Sequence, residues 1–241
     1  GILDRGSVHQ MGTIVRGENG QPLPYFFGYK TDRVFQNWDE VYAYTNADGS
    51  LLQPGAQPGD FRYQDLNGDG SITAEGDRTN LGKCVPSWTY GINAGIDWKG
   101  IDFSMVWQGV AGNKIFDATR RTDIPTMNQP KYVLNRWTGE GSTNEYPRFT
   151  VTDPNQNWSK ASDFFIKDAS YFRLKNVTLG YTLPVNWTNK IFVKKFRVYV
   201  ACENALTFTK YDGFDPEIAD YVDRGIYPQA RTVQFGANIT F

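Results

Sequence analysis

One histidine and two cysteines serve the whole chain of 241 residues. A lone His9 provides no histidine-rich metal site, and it leaves little room for a Ser-His-Asp or Cys-His constellation. Cys84 and Cys202 stand far apart, and spacing alone does not say whether they come within bridging distance; two unpaired small apolar residues is the plainer reading. No run of about 18 apolar residues occurs, so no transmembrane helix is expected. The net charge of −1 carries no electrostatic footprint for nucleic acid or an anionic membrane surface. There is no signal-peptide pattern, and the chain begins at Gly1, which reads as a mature product or a piece of something longer.

What is plentiful is aromatic and small. Aromatics make up 15% and there are 24 glycines, yet the mean hydropathy is −0.51. That combination suits many strands separated by polar turns. The clearest periodicity runs from Ser87 to Trp98. Trp88, Tyr90, Ile92, Ala94, Ile96 and Trp98 fall on one face, with Gly91, Asn93, Gly95 and Asp97 opposite. Lys99-Gly100 fits a tight turn, after which Ile101, Phe103, Met105 and Trp107 resume the apolar face. Aromatics sit at both ends of that face and aliphatics in the middle. Lipid-facing strands need this order, because Trp and Tyr settle at the two interfaces while the lumen side stays wet.

Further strands are predicted over 170–183, 196–208 and 229–241. In the first, Phe172 and Leu174 are out of phase with Val177, Leu179 and Tyr181; either a β-bulge near Asn176 reconciles the halves or the upper half stands above the bilayer. In the second, Arg197 and Glu203 take the inward register, which suits a watery lumen better than a dry core. In the third, Val233, Phe235, Ala237, Ile239 and Phe241 make one apolar face. The stretches 53–86, 110–168 and 209–228 read as loops, and loops this long are ordinary on the outer side of a membrane barrel. A short helix is expected near Trp38, Val41 and Tyr42.

Asp65 to Asp77 is a compact cluster of hard-cation ligands. Asp65, Asn67 and Asp69 occupy alternate positions of a calcium-loop pattern, with Gly70 at the sharp turn and Ser71 beside it. The twelfth position is Gly76, so the last acid, Asp77, lies one residue late. A Ca2+ site and an Asx-rich turn held by its own hydrogen bonds both fit.

Five blocks then follow a known order: FRYQDLNGDGSITAEGDR, YGINAGIDWKGIDFSMVWQG, SYFRLKNVTLGYTLP, RVYVACENALTFTKYDGFDPE and YPQARTVQFGANITF. Together they resemble the C-terminal part of SusC/RagA-type TonB-dependent outer-membrane transporters. The resemblance implies an all-β fold, the C-terminal portion of a transmembrane β-barrel of about 22 antiparallel strands with long extracellular loops. It implies a place in the Gram-negative bacterial outer membrane, loops outward, and import of glycans or peptides. The partners it implies are a SusD-like surface lipoprotein, TonB acting through an N-terminal part, the remainder of the barrel, membrane lipid, and an oligosaccharide or peptide substrate. Gln234, Gly236, Ile239 and Phe241 resemble the assembly signature of such barrels. The TonB-contacting segment and plug are missing from this sequence, and its roughly six strands fall short of the ~8 that close the smallest barrel.

No catalytic residue is expected. Asp215 and Glu217 form an acidic pair, but nothing points to the separation or raised pKa of a glycosidase. For ligand contact the candidates are the loop tryptophans Trp137 and Trp158, which either stack on substrate or pin their own loop. The rival functions are a secreted, calcium-dependent glycan-binding β-protein and a structural fragment without activity of its own.

Overall fold

A computed structural model of the chain describes residues 9–11, 14–120 and 128–241. In order, the elements are β1 (His9–Met11), β2 (Val15–Gly17), β3 (Tyr25–Tyr29), β4 (Thr31–Val34), α1 (Trp38–Ala43), β5 (Phe61–Tyr63) and β6 (Arg78–Lys83). Next come β7 (Trp88–Trp98), β8 (Ile101–Ala111), β9 (Lys114–Asp117), β10 (Ile166–Asp168) and β11 (Tyr171–Thr182). The remainder is α2 (Val185–Thr188), β12 (Lys195–Thr209), β13 (Val222–Asp223) and β14 (Thr232–Thr240), with three short 3-10 turns along the way. Among the described residues no helix is long and apolar enough to cross a membrane.

The chain divides into two compact units. One consists of Pro86–Asn113, Asp168–Ala219 and Ile226–Phe241. Its frame is a five-stranded antiparallel sheet in the order β14-β12-β11-β8-β7. The β7–β8 hairpin turns at Lys99 (φ 48°) and Gly100 (φ 87°). Positive φ at both central residues matches the turn's twist to that of the strands. Gly100 is required, because a Cβ there would lie 2.7 Å from the Thr182 carbonyl oxygen.

Register carries the apolar face across the sheet. Ile96 pairs with Phe103, Phe103 with Leu179, Leu179 with Val200, and Val200 with Phe235. Both pairings of β11 shift between Leu174 and Asn176. The extra residue, Lys175, restores Phe172 and Leu174 to the face of Val177 and Leu179, as a bulge must.

The other unit comprises the described residues of Gly1–Val85, Lys114–Lys167 and Asp220–Gly225. Here the loops at 53–86 and 110–168 hold more structure than their aperiodic sequence implies. Tyr29, Val34, Phe61 and Tyr63 form a buried cluster, against which Trp137 and Phe164 pack. A second cluster joins Phe35, Val41 and Ala56. Helix α1 starts at Asn37, whose side-chain oxygen accepts from the Glu40 N–H at 3.0 Å, an N-cap. A buried acid in this unit is held by specific side-chain donors. Asp60, fully buried, accepts from Arg148 Nε at 2.6 Å and Asn157 Nδ2 at 2.7 Å. Such bonds are what permit a carboxylate to sit inside a protein.

Candidate functional site

The five-stranded sheet has two faces of opposite chemistry. On the apolar face, Trp98 is 62% exposed and Phe235 83%. Large apolar groups this exposed in a continuous band mark a surface made to be covered. At the end bearing the long connections, Trp107 stacks on Phe172 with ring centroids 4.6 Å apart, and Phe208 and Tyr90 adjoin them. At the turn end stand Trp98, Tyr181 and Phe196. The band is therefore aromatic at both rims and aliphatic between.

The opposite face is polar and cross-linked. Arg197 on β12 reaches across β11 to Asp102 on β8, its Nε 2.8 Å from Oδ1 and its Nη2 also bonded to the carboxylate. It passes over Gly180, where a Cβ would meet Asp102 Oδ2 at 2.5 Å. A side chain at that position would block the pair. Tyr199 likewise lies over Gly236 on β14, whose missing Cβ leaves room for the phenol.

Near the bulge, the segment after β12 is tied back to this face. Arg173 is 4% exposed and Asp215 3%. The guanidinium donates to Asp215 Oδ1 at 2.6 Å, Glu217 Oε2 at 2.8 Å and Thr207 Oγ1 at 2.9 Å. Lys175, the bulge residue, adds a bond to Glu217 Oε2 at 2.6 Å. The second oxygen of Asp215 accepts the Gln229 N–H at 3.0 Å, so one carboxylate links the strand to both ends of the connection. Burial raises the Asp215 pKa, but the Arg173 bond and the Gln229 and Glu217 N–H groups outweigh it, and the carboxyl is held below its ordinary value.

The sequence-predicted ligand candidates lie elsewhere. Trp158 is 1% exposed; its indole N–H donates to the Arg148 carbonyl at 2.8 Å, and Tyr132, Phe149 and Phe164 surround its ring. Trp137 is half-buried over Gly59 and donates to Gln36 Oε1 at 3.2 Å. Both pin the loop. Among the loop aromatics that meet solvent, Trp38 and Tyr42 stack at i and i+4 on α1 with centroids 5.5 Å apart, while Phe214 and Tyr227 are exposed in the connection between β12 and β14.

In the Asp65 loop the carboxylates are engaged by the loop's own backbone. Asp65 accepts from the Gly68 and Gly70 N–H groups at 2.7 and 2.9 Å, and Asp69 from Ser71 N and Oγ at 2.9 Å. Asp77 is fully buried and accepts from Leu66 N at 2.8 Å and Thr73 N at 2.6 Å. Asn67 Nδ2 donates to Asp69. Among the described residues no three acidic, His or Cys side chains converge to hold a metal. This hydrogen bonding is that of an Asx-rich turn. Cys84 and Cys202 are both free, and burial pushes the Cys84 thiol up to about 12, leaving it protonated at neutral pH.

No family model matches the chain. Similar curated proteins do exist. TonB-dependent receptor P26 of Formosa agariphila is 30% identical over 270 residues, which take in 100% of this chain and 26% of the relative. TonB-dependent receptor P3 of the same organism is 30% identical over 238 residues, 92% of this chain and 22% of the relative. SusC of Bacteroides thetaiotaomicron is 24% identical over 95% of this chain. A solved RagAB peptide transporter superposes with a TM-score of 0.72 at 23% identity, over 97% of this chain and 24% of that one. The chain is similar to a segment of SusC/RagA-type TonB-dependent receptors.

It spans about a quarter of the length of the relatives it matches. The five long strands of this SusC/RagA-like segment are a C-terminal portion of an antiparallel transmembrane β-barrel. In that setting the apolar band is the lipid side and the Asp102–Arg197 face the lumen side. Residues 232–240 of the signature strand form β14, at one edge of the sheet, with Gln234 and Gly236 on the lumen side and Ile239 on the lipid side. No period in the sequence marks the Arg173, Asp215 and Glu217 cluster. Its traces were there: Arg173 in the inward register, and the acidic pair a few residues beyond a strand end.

Proposed function

We propose that this chain supplies barrel wall and external loops to a TonB-dependent outer-membrane importer of glycans or peptides that works with a SusD-like lipoprotein. The observation that carries this reading is the two-faced sheet, with lipid-type aromatic rims on one side and bonded charges on the other. Long connections leave the sheet at one end and short ones at the other, which supports an orientation with the long connections toward the cell exterior and the Lys99-Gly100 turn toward the periplasm. Transport makes or breaks no covalent bond in this account. The chain's part is to line the passage and to hold loops rigid enough to present a binding surface. Trp137 and Trp158 contribute by fixing the loop, while Trp38 and Tyr42 face the solute.

Detergent extraction of the native protein, followed by its intact mass and co-purifying subunits, tests this. A polypeptide well above 27.3 kDa, in complex with a lipoprotein, is expected. A 27.3 kDa monomer released into aqueous buffer without detergent overturns the reading and favours a secreted glycan-binding protein.

A further inference from the structure

At the turn end of the lipid-side face lies an apolar groove of about 470 Å³, lined by Ile101, Leu179, Tyr181, Val198, Val200 and Phe235. All six share one face by register, since Ile101 pairs with Tyr181, Tyr181 with Val198, Leu179 with Val200 and Val200 with Phe235. Two residues before Ile101, the β7–β8 turn carries Lys99. The Lys99 ammonium lies over the Trp98 ring, 4.9 Å from its centroid, and Trp98 is on this face because it pairs with Ile101.

The nearby acids do not neutralise that cation from the same side. Asp97 and Asp102 pair with each other on the lumen face, and Asp102 is bound by Arg197. The Tyr181 ring lies beside the turn, 3.5 Å from where a Gly100 Cβ would lie. The connection over residues 183–195 carries Lys190, Lys194 and Lys195 and no acidic residue. An apolar groove beside a phenol and a turn that carries an amine, with three lysines and no acid in the sequence of the next connection, complements one chemistry: a hydrocarbon chain ending in a phosphate.

We propose that this groove is a binding site for an anionic phospholipid of the periplasmic leaflet. One acyl chain lies along Leu179 and Val200, and the phosphate is held by the Lys99 ammonium and the Tyr181 hydroxyl. Placing a flexible amine over Trp98 keeps it at headgroup depth, where cation–π contact and phosphate do not compete for the same side of the ammonium. The assignment rests on the barrel reading above, which makes this face the lipid side.

The test uses the full-length receptor that carries this segment, purified in detergent, stripped of native lipid and exposed to dioleoyl phosphatidylglycerol or dioleoyl phosphatidylcholine. Native mass spectrometry is expected to show phosphatidylglycerol adducts retained several-fold better than phosphatidylcholine. Lys99→Glu should abolish the preference, Lys99→Arg should keep it, and Val200→Trp, which fills the groove, should lower retention of both lipids. Equal retention of the two lipids, or an unchanged preference in Lys99→Glu, overturns the site. Inorganic phosphate binding that persists in Val200→Trp without lipid retention also overturns it, since the site would then hold an ion alone. If the receptor needs detergent yet shows no preference, the lipid site fails while the barrel stands; if it needs no detergent, the barrel reading itself fails.

Discussion

Arg173 is the residue on which most depends locally. Its side chain and that of Asp215 are 5% and 4% exposed, so each charge relies on the other and on the bonds around it. Removing one partner leaves the other buried and uncompensated. Arg173→Ala should therefore destabilise the anchored connection by about 3–5 kcal/mol, the range seen for broken buried pairs. Hydrogen exchange over residues 210–231 of the full-length receptor would register it as lost protection, with the 53–63 region unchanged. Acid should act on the same contact. The folded state holds the Asp215 carboxyl below its ordinary value, so its stabilising contribution is present above the unfolded value of about 3.9 and is lost as pH falls through the folded value. Protection of this segment should hold from neutral pH down to about 4 and decline below it, and Asp215→Asn should remove that decline. By parity alone Arg173 would share the apolar face of Val177 and Leu179; the bulge at Lys175 is what turns it inward. Its partner, 42 residues further on, was invisible because an ion pair between two loops leaves no period in the sequence.

At the level of elements, legibility follows period. The β7–β8 hairpin is readable from Trp88 to Trp107, since alternation, turn and register agree with one another. The bulge in β11 is readable for the same reason: Leu174 and Val177 cannot share a face without one extra residue. The core of the loop unit has no such signal. Phe61 N–H bonds Asn157 Oδ1 across 96 residues, and Gln53 bonds Asn155 across 102, so that packing is assembled from segments that look like loops one at a time. Two tests belong here. Gly180→Val should separate Arg197 from Asp102, because the new side chain occupies the path between them. The loss should be about 1 kcal/mol at most for a lumen-side pair, read as a lower thermal midpoint of the detergent-solubilised receptor. For the Asp65 loop, the backbone N–H groups already bonded by its acids lead to the opposite expectation for metal. Chelation or added Ca2+ should leave the midpoint unchanged, whereas Asp77→Ala, which orphans the Leu66 and Thr73 N–H groups, should lower it by about 1–3 kcal/mol.

For the whole molecule the decisive fact is that the sheet is open. β14 and β7 each present an unpaired edge, and in hydrocarbon every unpaired N–H and C=O costs several kcal/mol. Five strands are fewer than the ~8 that close the smallest barrel, so both edges must be met by strands from further polypeptide. That requirement gives β14 its weight. Its lipid-side residues, with Phe235 83% and Phe241 77% exposed, are ready for lipid, while its free edge awaits a partner strand. Phe241 lies one residue beyond the strand and contributes no backbone pairing of its own, so deleting it tests recognition apart from the sheet's hydrogen bonding. In cells expressing the full-length receptor, deletion of Phe241 should sharply reduce the heat-modifiable, membrane-inserted form. Phe241→Trp, which keeps an aromatic group at the interface, should retain most of it. Normal insertion without any residue at 241 would show that assembly does not read this end. The strand would then be ordinary barrel wall, held by Val200, Val198 and Phe196 of its neighbour and by nothing more.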